Sequence, residues 1–214
     1  MSDEHYHIIY GVDDGSPDLE TSLAMLDDAQ AAGITELWAT PHMRWSDFSL
    51  ETCKARFAEL VPHAQQRGIE MKLGFEVFYK TLRKQGLHTA PAYVLEGTDM
   101  LLIEFNTGGE VAPDWERTVY RLQSEFGLEV TWAHPERYVS VWDDFALVQR
   151  MKDAGCRIQV SAGDVLGNPL GKHGKRIRAA KRILKEGLAD ALVSDAHEPG
   201  QFATFAKVAG KYWQ

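Results

Sequence analysis

At 214 residues the chain is long enough for one well-filled core and short for two, so it reads as a single domain over residues 1–214. A formal net charge of −8 argues against a surface built to hold nucleic acid, which needs clustered Lys and Arg. No apolar stretch reaches spanning length, and Ser2, Asp3 and Glu4 stand where a secretory leader carries basic residues, so the expected setting is cytoplasmic, without membrane insertion.

The opening EHYHIIYGVDD puts His5 and His7 two residues apart in a β-rich run, 5–12, where alternate side chains share a face. That arrangement can grip a metal, although an isolated His-x-His is also the pattern of an exposed terminal patch. Ser16-Pro17 supplies a cap and a first-turn proline for a helix whose Leu19, Leu23 and Leu26 share one side. Further β-rich runs follow at 35–41, 69–77, 99–105, 128–134, 156–161 and 188–195, with helical periodicity at 49–67, 113–126, 143–154, 174–186 and 201–211. Five helical stretches stop at Gly33, Gly68, Gly127, Gly155 and Gly187, as suits a left-handed turn past a helix end. Seven strands alternating with helices predict a parallel sheet, either a closed barrel or an open doubly wound sheet. No GxGxxG or GxxxxGK[ST] phosphate loop occurs, which removes the commonest reason for the open form.

Coordinating residues collect where the strands end. His42 in ATPH, His134 in TWAHPERY and His197 in VSDAH each follow a β-rich run, and Asp14, Glu76, Glu104 and Asp195 recur at the same places. Barrels gather their chemistry at these C-terminal strand ends. Singly, Glu104 is also a capped strand end and His134 a hydrogen-bonded core histidine. An acid inside an apolar strand, as in GFEVF or LLIEF, costs several kcal/mol if buried unpaired, and a cation removes that cost. His63, His88 and His173 lie in helix or loop contexts and receive no role.

Five histidines and four carboxylates exceed what one ion uses, so two or three divalent metals sharing a bridging carboxylate are expected. Nitrogen and oxygen donors suit Mn, Fe, Co or Zn and disfavour an all-oxygen calcium site. Three such ions would overcompensate the four carboxylates and leave a cationic mouth suited to a phosphate dianion. Cys53 and Cys156 have neither CxxC nor zinc-ribbon spacing and read as reduced thiols. The run KHGKRIRAAKRILK, Lys172 to Lys185, has helical spacing and reads as a solvated helix face.

In order and spacing, DEHYH, ATPH, GFEVF, LLIEF, AHPERY and VSDAH resemble the polymerase-and-histidinol-phosphatase (PHP) family of metal-dependent phosphoesterases. VDDG, AHPERY and SAGDVLG bring the chain nearest to its manganese-dependent protein-tyrosine phosphatases of bacterial capsule and exopolysaccharide clusters. The resemblance implies a distorted seven-stranded (β/α) TIM-like barrel of PHP type with a trinuclear site, manganese being the first choice. One metal would take His5, His7, Glu76 and Asp195, a second Asp14, His42 and His197, and a third Glu76, Glu104 and His134. Arg137 matches the arginine that contacts phosphate, with a surface ion pair to Glu136 or Asp143 as its ordinary alternative; Arg44 is a second candidate. Trp45, Trp142 and Tyr138 are candidates to wall a pocket for an aromatic ring.

The implied partner is a phosphotyrosine protein, the tyrosine-rich tail of a bacterial tyrosine kinase. Histidinol phosphate or another small phosphomonoester is the alternative within that chemistry, and a non-catalytic metal-stabilised scaffold the alternative outside it. A homo-oligomer stays open. Two departures stand out: Phe202 occupies the position where capsule-type relatives carry a second arginine, and the chain ends 17 residues after His197, where many relatives continue.

Overall fold

The computed structural model describes residues 1–44 and 48–212. It begins with strand β1 (Ser2–Tyr6), helix α1 (Leu19–Ala31), β2 (Glu36–Ala39), β3 (His42–Met43) and α2 (Leu50–Gln66). Next come β4 (Glu70–Leu73), β5 (Glu76–Phe78), α3 (Tyr79–Gln85), a 3-10 segment (Leu87–Tyr93), β6 (Met100–Glu104), α4 (Trp115–Phe126) and β7 (Glu129–Trp132). A 3-10 turn (Pro135–Arg137), α5 (Val139–Asp143), α6 (Ala146–Asp153), β8 (Arg157–Ser161), α7 (Ala162–Val165), α8 (Gly174–Lys185), β9 (Ala191–Val193) and α9 (Gln201–Tyr212) complete it.

Every paired strand is parallel. One sheet runs β1-β2-β4 and the other β3-β5-β6-β7-β8-β9. Backbone bonds join them on one flank, where Asp195 N–H donates to His5 O and His7 N–H to Ala196 O, both at 3.0 Å. On the other the chain itself runs from β2 into β3 and from β4 into β5, and Gly74 N–H to Ala39 O (2.9 Å) and Glu76 N–H to Pro41 O (3.1 Å) carry the pairing across the break. The result is a mixed α/β fold around a curled parallel sheet. Its helices cover an apolar layer in which Trp132, stacked on Phe105 at 4.3 Å, is fully buried. No described helix is long and apolar enough to cross a membrane.

Several expected boundaries move. The first strand ends at Tyr6, not at 12, because the chain folds back: Ser16 N–H donates to His7 O at 3.1 Å and Gly11 N–H to Ser16 O at 2.7 Å. Helix α1 is capped by Asp18, whose side chain accepts from Thr21 N–H, so Pro17 lies outside it. Ser16 is instead buried, its hydroxyl sharing a bond with Ser22 at 2.8 Å. The runs 35–41 and 69–77 each split in two, at Thr40–Pro41 and at Gly74–Phe75, and the helix expected at 143–154 begins only at Ala146, a separate short helix ending at Asp143. The five helix-ending glycines all have positive φ, between 68° and 78°.

Candidate metal centre

The strand ends bring the coordinating residues together. His5 lies in β1 and His7 one residue past it; His42 opens β3, Glu76 opens β5 and Glu104 closes β6, while His134 and Asp195 lie two residues beyond β7 and β9. His134 (φ 33°) and Asp195 (φ 50°) are the two non-glycine residues with positive φ among the described residues. Strain of that kind persists where surrounding bonds over-determine the backbone, as at functional sites.

Four donor atoms converge most closely. His5 Nε2 and His7 Nε2 are 3.1 Å apart. Glu76 Oε2 lies 3.3 Å from the first and 3.4 Å from the second, and Asp195 Oδ1 lies 3.5 Å from each. The far nitrogens of both rings are engaged: His5 Nδ1 donates to Gln159 Oε1 (3.2 Å) and His7 Nδ1 to Asp13 Oδ2 (2.9 Å). In the neutral rings those bonds leave both Nε2 lone pairs facing each other and two carboxylate oxygens. Glu76 Oε2 and Asp195 Oδ1 are buried and have no partner in hydrogen-bonding geometry. Lone pairs gathered this way repel unless a cation lies among them, so the donor set fits a divalent ion bound by nitrogen and oxygen.

A second group comprises His7, Asp14, His42 and His197, whose donor atoms lie within 4.8 Å of one another. His42 Nε2 is 3.3 Å and His197 Nε2 3.6 Å from Asp14 Oδ1, and the rings of His7 and His197 stack at 3.9 Å. On its other edge His42 Nδ1 approaches Glu76 Oε2 at 2.7 Å and Glu104 Oε1 at 3.2 Å. His134 Nε2 lies 2.7 Å from Glu76 Oε1, in a group with His5. Glu104 groups with His42 and Glu76, and His134 with His5 and Glu76, so Glu76 is the carboxylate that these two groups share, and its Oε2 also faces His7 and His42 of the Asp14 group.

The electrostatics match a cluster short of positive charge. Burial opposes ionisation of Glu76, but His42, His5 and His134 hold it well below the usual carboxylate range. Asp195 is likewise held low against burial, by Arg137 and His5. Burial opposes protonation of His42, yet Glu76 and Glu104 push it up to about 11; His7 rises to about 9 through Asp13 and Asp195, against burial and His42. Burial and His7 instead bring His197 down to about 4.

Arg137 packs inward, and its ion pairs are with Asp164 and Asp195, not with Glu136 or Asp143, although the buried Glu136 stays close enough to favour its charge. Its Nε donates to Asp164 Oδ2 (2.9 Å), and its Nη2 donates to Ser161 Oγ (3.0 Å) and pairs with Asp195 Oδ2. Arg44 donates from Nε (2.9 Å) and Nη2 (2.5 Å) to Glu104 Oε1. Beside it opens a cavity of about 520 Å³ bordered by Phe48, Phe78, Lys80 and Tyr93. Tyr138 does not wall a pocket: it is fully buried, and its hydroxyl donates to Ala133 O (2.7 Å). Trp142 lines a different cavity, and Trp45 lies outside the described residues. Phe202 is buried edge-on against Tyr6 at 4.7 Å, inside the core.

Sequence reading missed the supporting residues. Asp13 accepts from the His7 ring, from His42 N–H (2.9 Å) and from Gly15 N–H (3.0 Å). Those bonds outweigh burial and keep its carboxyl well below the usual range. Gly15 is required by close approach, since a Cβ there would stand 2.2 Å from His7 O. Asp3 receives Ser194 N–H (3.0 Å) and Ser194 O–H (2.5 Å), tying β1 to the VSDAH segment. A polar residue inside an apolar strand was the available signal for Gln159; Asp13, one residue before Asp14 in VDDG, offers none, because Asp is common in turns.

A curled parallel sheet with histidines and carboxylates packed at its C-terminal strand ends defines an α/β protein with a multi-ligand candidate metal centre. The chain belongs to the capsular polysaccharide synthesis family CpsB/CapC, whose family model matches residues 1–207. It is 28% identical over 205 residues to the tyrosine-protein phosphatase CpsB of Streptococcus agalactiae serotype III (strain NEM316), covering 92% of this chain and 83% of that protein. To the tyrosine-protein phosphatase YwqE of Bacillus subtilis (strain 168) it is 29% identical over 208 residues, covering 92% and 77%. A solved chain from the crystal structures of YwqE from Bacillus subtilis and CpsB from Streptococcus pneumoniae, described as unique metal-dependent tyrosine phosphatases, superposes with a TM-score of 0.82. That match has 25% identity and covers 100% of this chain and 87% of that one.

Proposed function

We propose that this protein is a metal-dependent phosphomonoesterase that removes phosphate from phosphotyrosine in proteins. The observation that carries the reading is the pair His5 Nε2 and His7 Nε2, 3.1 Å apart, with Glu76 Oε2 and Asp195 Oδ1 each 3.3–3.5 Å from both nitrogens. Membership of a family whose relatives are named tyrosine-protein phosphatases supports it. Taking β2 with β3 and β4 with β5 as single interrupted staves, we read the curled sheet as the seven-stranded PHP-type barrel.

The proposed ligands are His5, His7, Glu76 and Asp195 for one ion, Asp14, His42 and His197 for a second, and Glu76, Glu104 and His134 for a third, with manganese preferred. Bound there, divalent ions would activate water for in-line attack and neutralise phosphoryl oxygens. The chain's own groups supply orientation. Asp13 and Gln159 fix the rings of His7 and His5, so that each presents Nε2. Asp164 and Asp195 hold the Arg137 guanidinium at the edge of the centre, where its planar fork suits phosphate oxygens. Phenolate leaves more readily than an alkoxide, which reduces the demand for a general acid. The cavity bordered by Phe48, Phe78 and Tyr93 is the proposed seat of the substrate's aromatic ring. The proposed substrate is the tyrosine-rich tail of a bacterial tyrosine kinase in the cytoplasm.

The test is phosphate release from a phosphotyrosine peptide and from histidinol phosphate, using metal-stripped protein with manganese, cobalt or zinc restored in turn. Metal-dependent turnover favouring the peptide, and lost in His42→Ala, is the expected result. Preference for the small ester would replace the substrate, and no turnover with any metal would leave a binding scaffold.

A further inference from the structure

The basic run from Lys172 to Lys185 is not uniformly a solvated face. Its later part behaves as one: Arg182 pairs with Glu186, the residue that caps the helix, at 2.7 Å. Its beginning turns to a cavity of about 280 Å³ that Lys172, His173, Lys175 and Arg176 share with Trp142 and Arg137. Arg137 also pairs with Asp195 of the metal centre, so the cavity and the centre share one side chain.

Asp164 builds the arrangement. It is 2% exposed, and its two oxygens face two different arginines: Oδ2 accepts from Arg137 Nε at 2.9 Å, and Oδ1 from Arg176 Nε. One buried carboxylate therefore sets two guanidiniums side by side. The Nε contact is the one Arg176 makes among the described residues, which leaves both its Nη groups as donors at a partly exposed site. Four cations, Arg137, Lys172, Lys175 and Arg176, thus stand around two carboxylates, Asp164 and Asp195, and the buried carboxyl of Glu136, which burial and Asp164 push up to about 8, in a chain whose net charge is −8. With Phe202 buried in the core, position 202 contributes no cation to this edge.

We propose that this cavity is a subsite for a second anionic group of the substrate, a carboxylate or phosphate on a residue neighbouring the scissile phosphotyrosine. Arg176 is its principal recognition residue and Lys172 and Lys175 its flanks. The inference rests on the phosphotyrosine reading for what occupies the centre. A partly exposed pair of guanidinium Nη groups matches two oxygens of either anion, and the shared Arg137 puts that anion next to the reacting phosphate.

The test is fluorescence anisotropy on the manganese-loaded full chain with peptides carrying phosphonomethyl-phenylalanine, a non-hydrolysable phosphotyrosine mimic. The neighbouring residue is Gln, Glu or a second phosphonate. The Glu peptide is expected to bind about fivefold more tightly than the Gln peptide, the size of one good ion pair. That ratio shrinks in Lys172→Gln/Lys175→Gln, which leaves the Asp164 contacts in place, closes in Arg176→Gln and is partly restored in Arg176→Lys. A gain confined to the second phosphonate and lost in Arg176→Gln identifies the anion as phosphate. Equal or absent binding of the three peptides, or a ratio untouched by Arg176→Gln, overturns the subsite. Hydrolysis of para-nitrophenyl phosphate by the parent protein is measured in parallel: its absence would sink the phosphatase reading, while the binding ratio still decides the subsite.

Discussion

Glu104 and Phe105 are neighbours at the end of β6, 1% and 3% exposed, and they face opposite sides of the sheet. Glu104 meets His42 and Arg44; Phe105 stacks on Trp132, which in turn meets Trp115 edge-on at 5.9 Å. The aromatic side gains from burial itself, because apolar area leaves water and the rings interlock. The charged side gains nothing from burial and depends on partners for every lone pair. Equal burial therefore has opposite meaning a residue apart, and substitutions on the two sides should fail in different ways.

The largest effect is expected on the charged side. Glu76→Gln should lower metal-dependent hydrolysis by more than ~100-fold, beyond the range seen for partners that only support a ligand. The fold should remain, checked by circular dichroism. Full activity would break the contrast. On the aromatic side, Trp132→Ala should destabilise by about 3–5 kcal/mol and lower the melting temperature by roughly 10 °C, while metal binding per folded molecule is retained. Calorimetry with metal titration reads both.

Asp13→Asn lies between the two regimes. It keeps size and shape but weakens the bond that orients His7, so metal affinity should fall about 10- to 100-fold with little change in melting temperature. An unchanged affinity would mean that the ring is held by packing alone. The smallest effect concerns the thiols, which belong to the apolar regime. Burial pushes Cys53 and Cys156 up to about 12, so both stay protonated from neutral pH to well above pH 8, thiolate appearing only as pH approaches that value. Ellman's reagent should be unreactive at pH 8 until denaturant is added; rapid reaction of the native protein would contradict the buried placement.

This contrast also explains what was legible in the sequence. Acids in apolar strands stand out, so Glu76 and Glu104 were visible, as were the histidines at strand ends. Where strands would break was not. Pro41 has no N–H to give a ladder, and a Cβ on Gly74 would stand 3.1 Å from Leu95, but neither feature marks a break unless the neighbours are known. The short helices α3 and α7, seven and four residues long, carry too few turns to show a period. Asp13, Asp164 and Gln159 went unassigned because their roles depend on partners 6 to 154 residues away. The Ser16 cap failed for a related reason: Ser16 and Asp18 are both good caps, and the burial of Ser16 beside Ser22 decided between them.

The missing methyl at Gly15 has a consequence of its own. Because the loop lies so tightly on His7 O, the aspartates at 13 and 14 and the histidines at 5 and 7 are parts of one mechanical piece. A larger residue at 15 would lift both aspartates together, disturbing two ligand groups without altering a single proposed ligand. Inheritance of the opening fifteen residues is therefore closer to all-or-nothing than a residue-by-residue view of the motif implies.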